Sequence, residues 1–305
     1  MLVLHFLFLF VSIFVLVKSA DYFTVSAEKI GLYFGLPPFI VGVTIVSIGT
    51  SLPELLTSIF AILQHESPIV AGNVVGSNIA NIFLVLGFST IVAGGFSTRH
   101  DVMKVDLPMA IASALFLYVA SYDGVFDYKE GIISLLALFV YMLYAAESKN
   151  PDVRGVSGEF KLSTIAVLIL SLLFLNFSAK YTVMNIIDIS TALHLSTGVI
   201  AASVVAVGTS LPELMVSLSA AKKRNFEMAI GNVIGSNIFN TFGIMGVASL
   251  VGTLKIDKST LSLSMPVMVV ATILLVFSLQ NRAMSRWMGY IFIIFYLLYM
   301  LKLFA

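Results

Sequence analysis

Glu54 and Glu213 stand where an apolar chain has no structural use for a carboxylate. Each closes the same six residues, Gly49-Thr50-Ser51-Leu52-Pro53-Glu54 and Gly208-Thr209-Ser210-Leu211-Pro212-Glu213, and no Lys or Arg falls within 30–98 or 181–221. An ionised carboxylate in the middle of a membrane span costs roughly 3 kcal/mol on insertion scales, and residues of this kind mark ion or substrate sites. A buried ion pair would need a basic partner, and none is near in sequence. A cation can compensate the two charges instead.

The residues around each Glu suit that chemistry. Gly loosens a helix, and Pro lacks the N–H that would hold the carbonyl one turn earlier. The carbonyls freed lie in Gly49–Thr50 and Gly208–Thr209, and each Glu is predicted in the first turn of the half-helix that follows. A second block, G-N-V-x-G-S-N-I-x-N, runs over Gly72–Asn81 and Gly231–Asn240. It supplies Ser77, Asn78 and Asn81, with Ser236, Asn237 and Asn240 as counterparts. Ser77 and Asn81 are four apart and share a helix face, and the glycines suit close helix packing. Together these residues form a set of hard oxygen donors. The chain has no Cys, and its four His stand at span ends or loops, so nothing suits zinc or copper. Calcium takes six to eight oxygens in flexible geometry, whereas magnesium demands a tight octahedron. One Ca²⁺ or two monovalent ions would neutralise the two carboxylates, which is the physical basis of an exchange.

The composition says what must position them. Hydrophobic residues make up 59% of the 305, against about 45–50% apolar in soluble domains, and charged residues 11%, against about 25%. Mean hydropathy is +1.04. A soluble enzyme is excluded, and a net charge of +1 gives no basic footprint for nucleic acid. Without cysteine there are no disulfides and no thiolate chemistry, and no cofactor is expected. The partners of such a chain are membrane lipid and ions.

Apolar runs long enough to cross a bilayer fall at 2–17, 37–63, 68–93, 105–121, 128–146, 163–183, 195–221, 228–252, 260–280 and 284–303. An all-helical, ten-span integral membrane protein is predicted. The one long polar interval, Glu147–Lys161, lies at the midpoint and has linker composition. The first run resembles a secretory signal in having a small residue after its apolar stretch. Its start carries no basic residue, and Ser19-Ala20-Asp21-Tyr22 recurs as Ser178-Ala179-Lys180-Tyr181, so it is read as retained. Twelve of the 17 Lys and Arg fall on the side of the loop after span 1 and five on the other. Basic residues favour the cytoplasm, which places both termini outside the cell.

A shift of 159 residues aligns 41–87 with 200–246 without a gap, with 20 of 47 positions identical. The chain is therefore divided into a first five-span unit, 1–146, a cytoplasmic linker, 147–162, and a second unit, 163–305. An odd number of spans turns the second copy upside down, the inverted repeat found in secondary transporters. Of the 16 acidic residues, 14 fall in loops or at predicted span ends; the exceptions are Glu54 and Glu213.

With G-T-S-L-P-E followed by G-N-x-x-G-S-N-I occurring twice, the chain resembles the calcium/cation antiporter superfamily over nearly its whole length, and within it the compact prokaryotic sodium/calcium exchangers. The resemblance implies exchange of Ca²⁺ for Na⁺ across the cell membrane by alternating access, with no covalent chemistry. It implies a calcium site made by Glu54, Glu213 and the carbonyls of Thr50 and Thr209. It also implies sodium sites that use Thr50, Ser77 and the Ser47 carbonyl on one side, and Thr209, Ser236 and the Ala206 carbonyl on the other. Ser51, Ser210, Asn81 and Asn240 complete the cluster. Archaeal members often carry Asp where this chain has Asn240, so its site would hold two negative charges, not three. Related calcium/proton antiporters manage with neutral amides near their Glu pair, which keeps proton coupling as the alternative. A cation channel is the alternative from another class. An intramembrane acid protease fits less well, since it would not explain the Ser, Thr and Asn shell.

Overall fold

The computed structural model describes residues 2–148, 162–192 and 210–303. Helix α1 (Leu2–Tyr33) precedes a broken run made of α2 (Pro38–Val41), a π-helical stretch (Gly42–Val46), α3 (Ser47–Thr50) and α4 (Leu52–Leu63). Then come α5 (Pro68–Ala80), a π stretch (Asn81–Leu86), α6 (Gly87–Ala93) and strand β1 (Gly95–Ser97). Helix α7 (Asp106–Ala120), strand β2 (Val125–Phe126) and α8 (Tyr128–Glu147) complete the first copy.

The second copy gives α9 (Leu162–Ala192), α10 (Leu211–Lys222) and α11 (Phe226–Ile238). A π stretch (Phe239–Ile244), α12 (Met245–Val251) and strand β3 (Leu254–Lys255) follow. A fourth π stretch (Thr260–Ser264) leads into α13 (Met265–Leu279), strand β4 (Ala283–Ser285) and α14 (Arg286–Leu303). Eight of these helices or helix runs are long and apolar enough to cross a membrane, and Asp106–Ala120 is apolar but shorter. Of the predicted run 195–221, only its end, in α10, is among the described residues.

Two predicted span ends need correction. The run read as 2–17 is part of a helix reaching Tyr33, and the run read as 163–183 continues to Ala192. Past Lys18 the helix carries polar residues, and two of them, Asp21 and Glu28, are matched by the second copy. Lys223 Nζ lies 2.9 Å from Asp21 Oδ1, Ser219 Oγ donates to the same oxygen at 2.6 Å, and Asn225 Nδ2 donates to Glu28 Oε1 at 2.8 Å. Helices α1 and α9 pack along each other, while their outer faces present apolar side chains such as Phe10, Phe14, Phe174 and Phe177.

The two copies match in detail. The turns after α4 and α10 place His65 and Arg224, residues 159 apart, at φ of 62° and 60°. Each turn closes by the same bond, Glu66 N–H to the Ala61 carbonyl (2.8 Å) and Asn225 N–H to the Ala220 carbonyl (2.9 Å). Strand β1 pairs antiparallel with β4, and β2 with β3, so the strand after the third helical run of one copy joins the strand before the last helix of the other. The turn after α4 lies by the β2–β3 ribbon, where Lys255 N–H donates to Ser67 Oγ (3.2 Å). The turn after α10 lies by the β1–β4 ribbon, where the N–H groups of Arg99 and His100 donate to Glu227 Oε1 (2.7 and 3.1 Å). Between the ribbons, buried Val, Ile, Leu and Phe of α5, α11 and the π stretches fill the centre.

A candidate cation site

Ser51 interrupts the broken run in the first copy. Its φ and ψ of −87° and 4° end α3, and Pro53 stands in the first turn of α4. Proline suits that place because the first N–H groups of a helix have no internal partner. Ser210 does the same before α10, with φ −89° and ψ 10° and Pro212 beside it. Glu54 and Glu213 therefore lie in the first turns of two half-helices, as the proline spacing predicts. The positive end of a helix favours a carboxylate. Both are fully buried, at 1% and 0% exposure.

Part of the predicted set can be followed there. Ser51 Oγ donates to Glu213 Oε1 at 3.2 Å, tying the break of the first copy to the carboxylate of the second. Asn81 and Asn240 begin or enter π stretches in α5 and α11, a local widening frequent at functional sites. Their Nδ2 atoms are spent on structure: Asn81 donates to Asn237 Oδ1 at 3.1 Å and Asn240 to Asn78 Oδ1 at 3.2 Å. Their Oδ1 atoms are not. Six buried oxygens, Glu54 Oε1 and Oε2, Glu213 Oε2, Asn81 Oδ1, Asn240 Oδ1 and Ser236 Oγ, have no hydrogen-bond partner among the described residues. A buried acceptor left without a donor costs about 1–3 kcal/mol. Oxygens of this kind suit a positive ion.

The remaining predicted residues divide. Ser77 and Ser210 line a cavity of about 360 Å³ beside α5 and α14, together with Gly72, Asn73 and Tyr299. Thr50 Oγ1 donates to Asn232 Oδ1 at 3.3 Å and reaches the carbonyls of Val46 and Ser47. The Ser47 carbonyl also accepts from the Ser51 N–H at 3.0 Å, and Ser47 Oγ donates to the Val43 carbonyl at 2.5 Å. Thr209 and Ala206 lie outside the described residues.

Some residues that shape the site were not singled out from sequence. Asn232 Nδ2 donates to Ser217 Oγ at 2.9 Å, directly behind Glu213. The signal was available, since Asn73 and Asn232, and Ser58 and Ser217, are identical between the copies. Asp106, placed at a span end by its position, is fully buried in the first turn of α7. Its two oxygens meet Tyr141 Oη at 2.8 Å and His100 Nε2 at 3.0 Å. The corresponding pair in the second copy is neutral, Ser264 and Tyr299, 3.0 Å apart.

A family model described as "Sodium/calcium exchanger protein" matches residues 4–146 and 163–305 of the chain. The chain is 34% identical to sodium/calcium exchanger MaX1 of Methanosarcina acetivorans, covering 100% of this chain and 99% of that protein. It is 32% identical to putative antiporter CaxA of Alkalimonas amylolytica, over 92% of this chain and 91% of the other. Among solved structures, the sodium-calcium exchanger NCX_Mj soaked with zero Na⁺ and Ca²⁺ superposes with a TM-score of 0.86. Identity there is 33%, over 99% of this chain and 100% of the other. The chain thus has the multi-pass, all-helical membrane fold of that exchanger.

Proposed function

The chain belongs to the sodium/calcium exchanger protein family, and from that premise we propose that it is a secondary antiporter that exchanges Ca²⁺ for Na⁺ by alternating access. The observation that carries the reading is that six buried oxygens, on Glu54, Glu213, Asn81, Asn240 and Ser236, have no hydrogen-bond partner among the described residues. Calcium is held between the two carboxylates, with the Thr50 and Thr209 carbonyls. Sodium ions use the same carboxylates with Ser77 and the Ser47 carbonyl, or with Ser236 and the Ala206 carbonyl; Ser51 and Ser210 border both arrangements. Loaded with one divalent or with monovalent ions, the pair loses its charge and can be presented to either side. Bare, it is too costly to move through the apolar barrier.

The architecture proposed for this cycle is ten spans in two inverted five-span units, 1–146 and 163–305, joined by a cytoplasmic linker, 147–162. The pairing of β1 with β4 and β2 with β3 supports it, because each ribbon joins loops that an odd span count puts on one side. So does the placement of equivalent turns, Ser67 by one ribbon and Glu227 by the other. The sequence assigns twelve of the 17 basic residues to the side of the loop after span 1, and on this reading that side, with the β1–β4 ribbon, faces the cytoplasm of a cell membrane. The termini are then outside.

The test is calcium uptake into proteoliposomes under an imposed sodium gradient, then under a pH gradient. Uptake driven by sodium and dependent on a counter-ion opposite supports the reading. Uptake driven only by the pH gradient makes the protein a calcium/proton antiporter, and calcium flux with no exchangeable ion opposite makes it a channel.

A further inference from the structure

His100 joins two runs of helix that each lead to the site. Its backbone N–H, with that of Arg99, donates to Glu227 Oε1 in the first turn of α11 (3.1 and 2.7 Å). The loop after β1 is thereby fastened to the helix that leads to Ser236, Asn237 and Asn240. Its imidazole stacks on Phe39 of α2, with ring centres 4.2 Å apart and planes 13° from parallel. Phe39 stands at the start of the broken run that leads to Ser51 and Glu54. The two runs also touch directly: a Cβ on Gly42 would collide with the Met228 carbonyl, and one on Gly231 with the Phe39 carbonyl. A site shared by these runs opens toward the β1–β4 face only if they part at this end.

The imidazole is held from a third direction. Nε2 lies 3.0 Å from Oδ2 of Asp106 in α7, a carboxylate with no exposed surface, while 17% of the His100 side chain is exposed. Asp106 Oδ1 accepts from Tyr141 Oη of α8 at 2.8 Å, and Tyr144 of α8 faces the same carboxylate. Other charges among the described residues there are taken or exposed. Asp101 pairs with Arg282 in the turn before β4, Glu227 accepts the N–H groups of the loop, and Arg99 and Lys104 are exposed. Helix α2 brings no charge. A histidine changes charge between about pH 5 and 8. With its proton, His100 makes a charge-assisted bond to Asp106 and sets a cation against the Phe39 ring; without it, both contacts weaken.

We propose that His100 and Asp106 are positioning residues that tie α2 to α11 at the β1–β4 end, more tightly when His100 is protonated, so that acid on that face slows exchange. Neither residue holds the ion. The inference rests on the alternating-access reading. It makes a one-sided response to pH the property of a single histidine, separate from any proton taken up at Glu54 and Glu213, which alternating access exposes to both faces in turn.

The experiment measures sodium-driven calcium uptake in oriented proteoliposomes, with pH varied between about 5.5 and 8 on one face at a time. Native protein slows by up to about tenfold when the β1–β4 face is acidified, the difference between an ordinary and a charged hydrogen bond in a population equilibrium. His100→Gln keeps an N–H donor that does not titrate, and Asp106→Asn keeps an acceptor for Tyr141 without the charge. Each flattens the profile on the β1–β4 face and leaves the response to the opposite face as it is in native protein. A second readout needs no transport. Hydrogen exchange over residues 36–46 is compared between native protein and His100→Gln at the same pH, where the chemical exchange rate of the segment is equal. Native protein is the better protected, and the gap widens from about pH 8 to about pH 6. Equal pH profiles for native protein and both variants, a gap in protection that stays constant, or a native slowing that is the same from either face overturns the tie. A gap that widens with acid in a protein that exchanges no calcium keeps the tie and overturns the exchanger reading instead.

Discussion

Asn78 and Asn237 hold each other's backbone: Asn237 Nδ2 donates to the Asn78 carbonyl at 3.2 Å, and Asn78 Nδ2 reaches the Asn237 carbonyl at 3.4 Å. The side-chain oxygens of the same two residues accept from Asn240 and Asn81. Four amides, two from each copy, form a closed and reciprocal group on the helices that carry the site. Asn78→Ala or Asn237→Ala leaves buried groups unpaired and is expected to cost about 1–3 kcal/mol each. Thermal unfolding in detergent measures it, and a Tm equal to native in both variants would contradict the role.

Glu54→Gln and Glu213→Gln are each expected to abolish calcium transport while the protein still folds. One carboxylate cannot neutralise a divalent ion taken out of water. Sodium-driven calcium uptake at native rate in either variant would remove both residues from the site.

Asn240→Asp adds a third carboxylate to a site with two. Three such groups in one apolar pocket do not all carry charge at neutral pH. Calcium binding by the variant should therefore tighten toward alkaline pH more steeply than in the native protein. Equilibrium binding between about pH 6 and pH 9 checks it, and identical profiles would place residue 240 outside the ion cluster.

Tyr141→Phe and Tyr299→Phe remove the same hydroxyl from equivalent places, with unequal expected results. Tyr141 donates to the buried carboxylate of Asp106, whereas Tyr299 meets a serine hydroxyl. Hydrogen bonds to charged groups contribute about 1.5–3 kcal/mol and neutral ones about 1. Unfolding measured side by side should show the larger loss for Tyr141→Phe.

Gly231→Ala should destabilise the protein, because its Cβ meets the Phe39 carbonyl at 2.3 Å and the Val43 N at 3.1 Å. Thermal unfolding in detergent checks it, and a Tm equal to native would contradict that close packing.

Much of this was legible in the sequence. The all-helical membrane fold, the duplication and the place of each Glu in the first turn after a break follow from hydropathy, spacing and the chemistry of proline. What stayed hidden depends on neighbours far away in the chain. Asp21 and Glu28 read as the end of a span until Lys223, Ser219 and Asn225 are seen beside them. Asp106 reads as no more than a span end because its partners, Tyr141 and His100, are brought to it by other elements.

The two ribbons exchange strands in the manner of a two-fold dimer, each copy lending one strand to each end of the molecule. The chain thus carries the interface of a homodimer inside a single polypeptide. Joining the copies turns an association that would depend on concentration into an intramolecular one, and it fixes one mutual pairing that free subunits would have to find anew. It also lifts the constraint that both partners be the same. Asp106 with His100 on one side, and Ser264 on the other, is the kind of divergence that only a fused pair can keep.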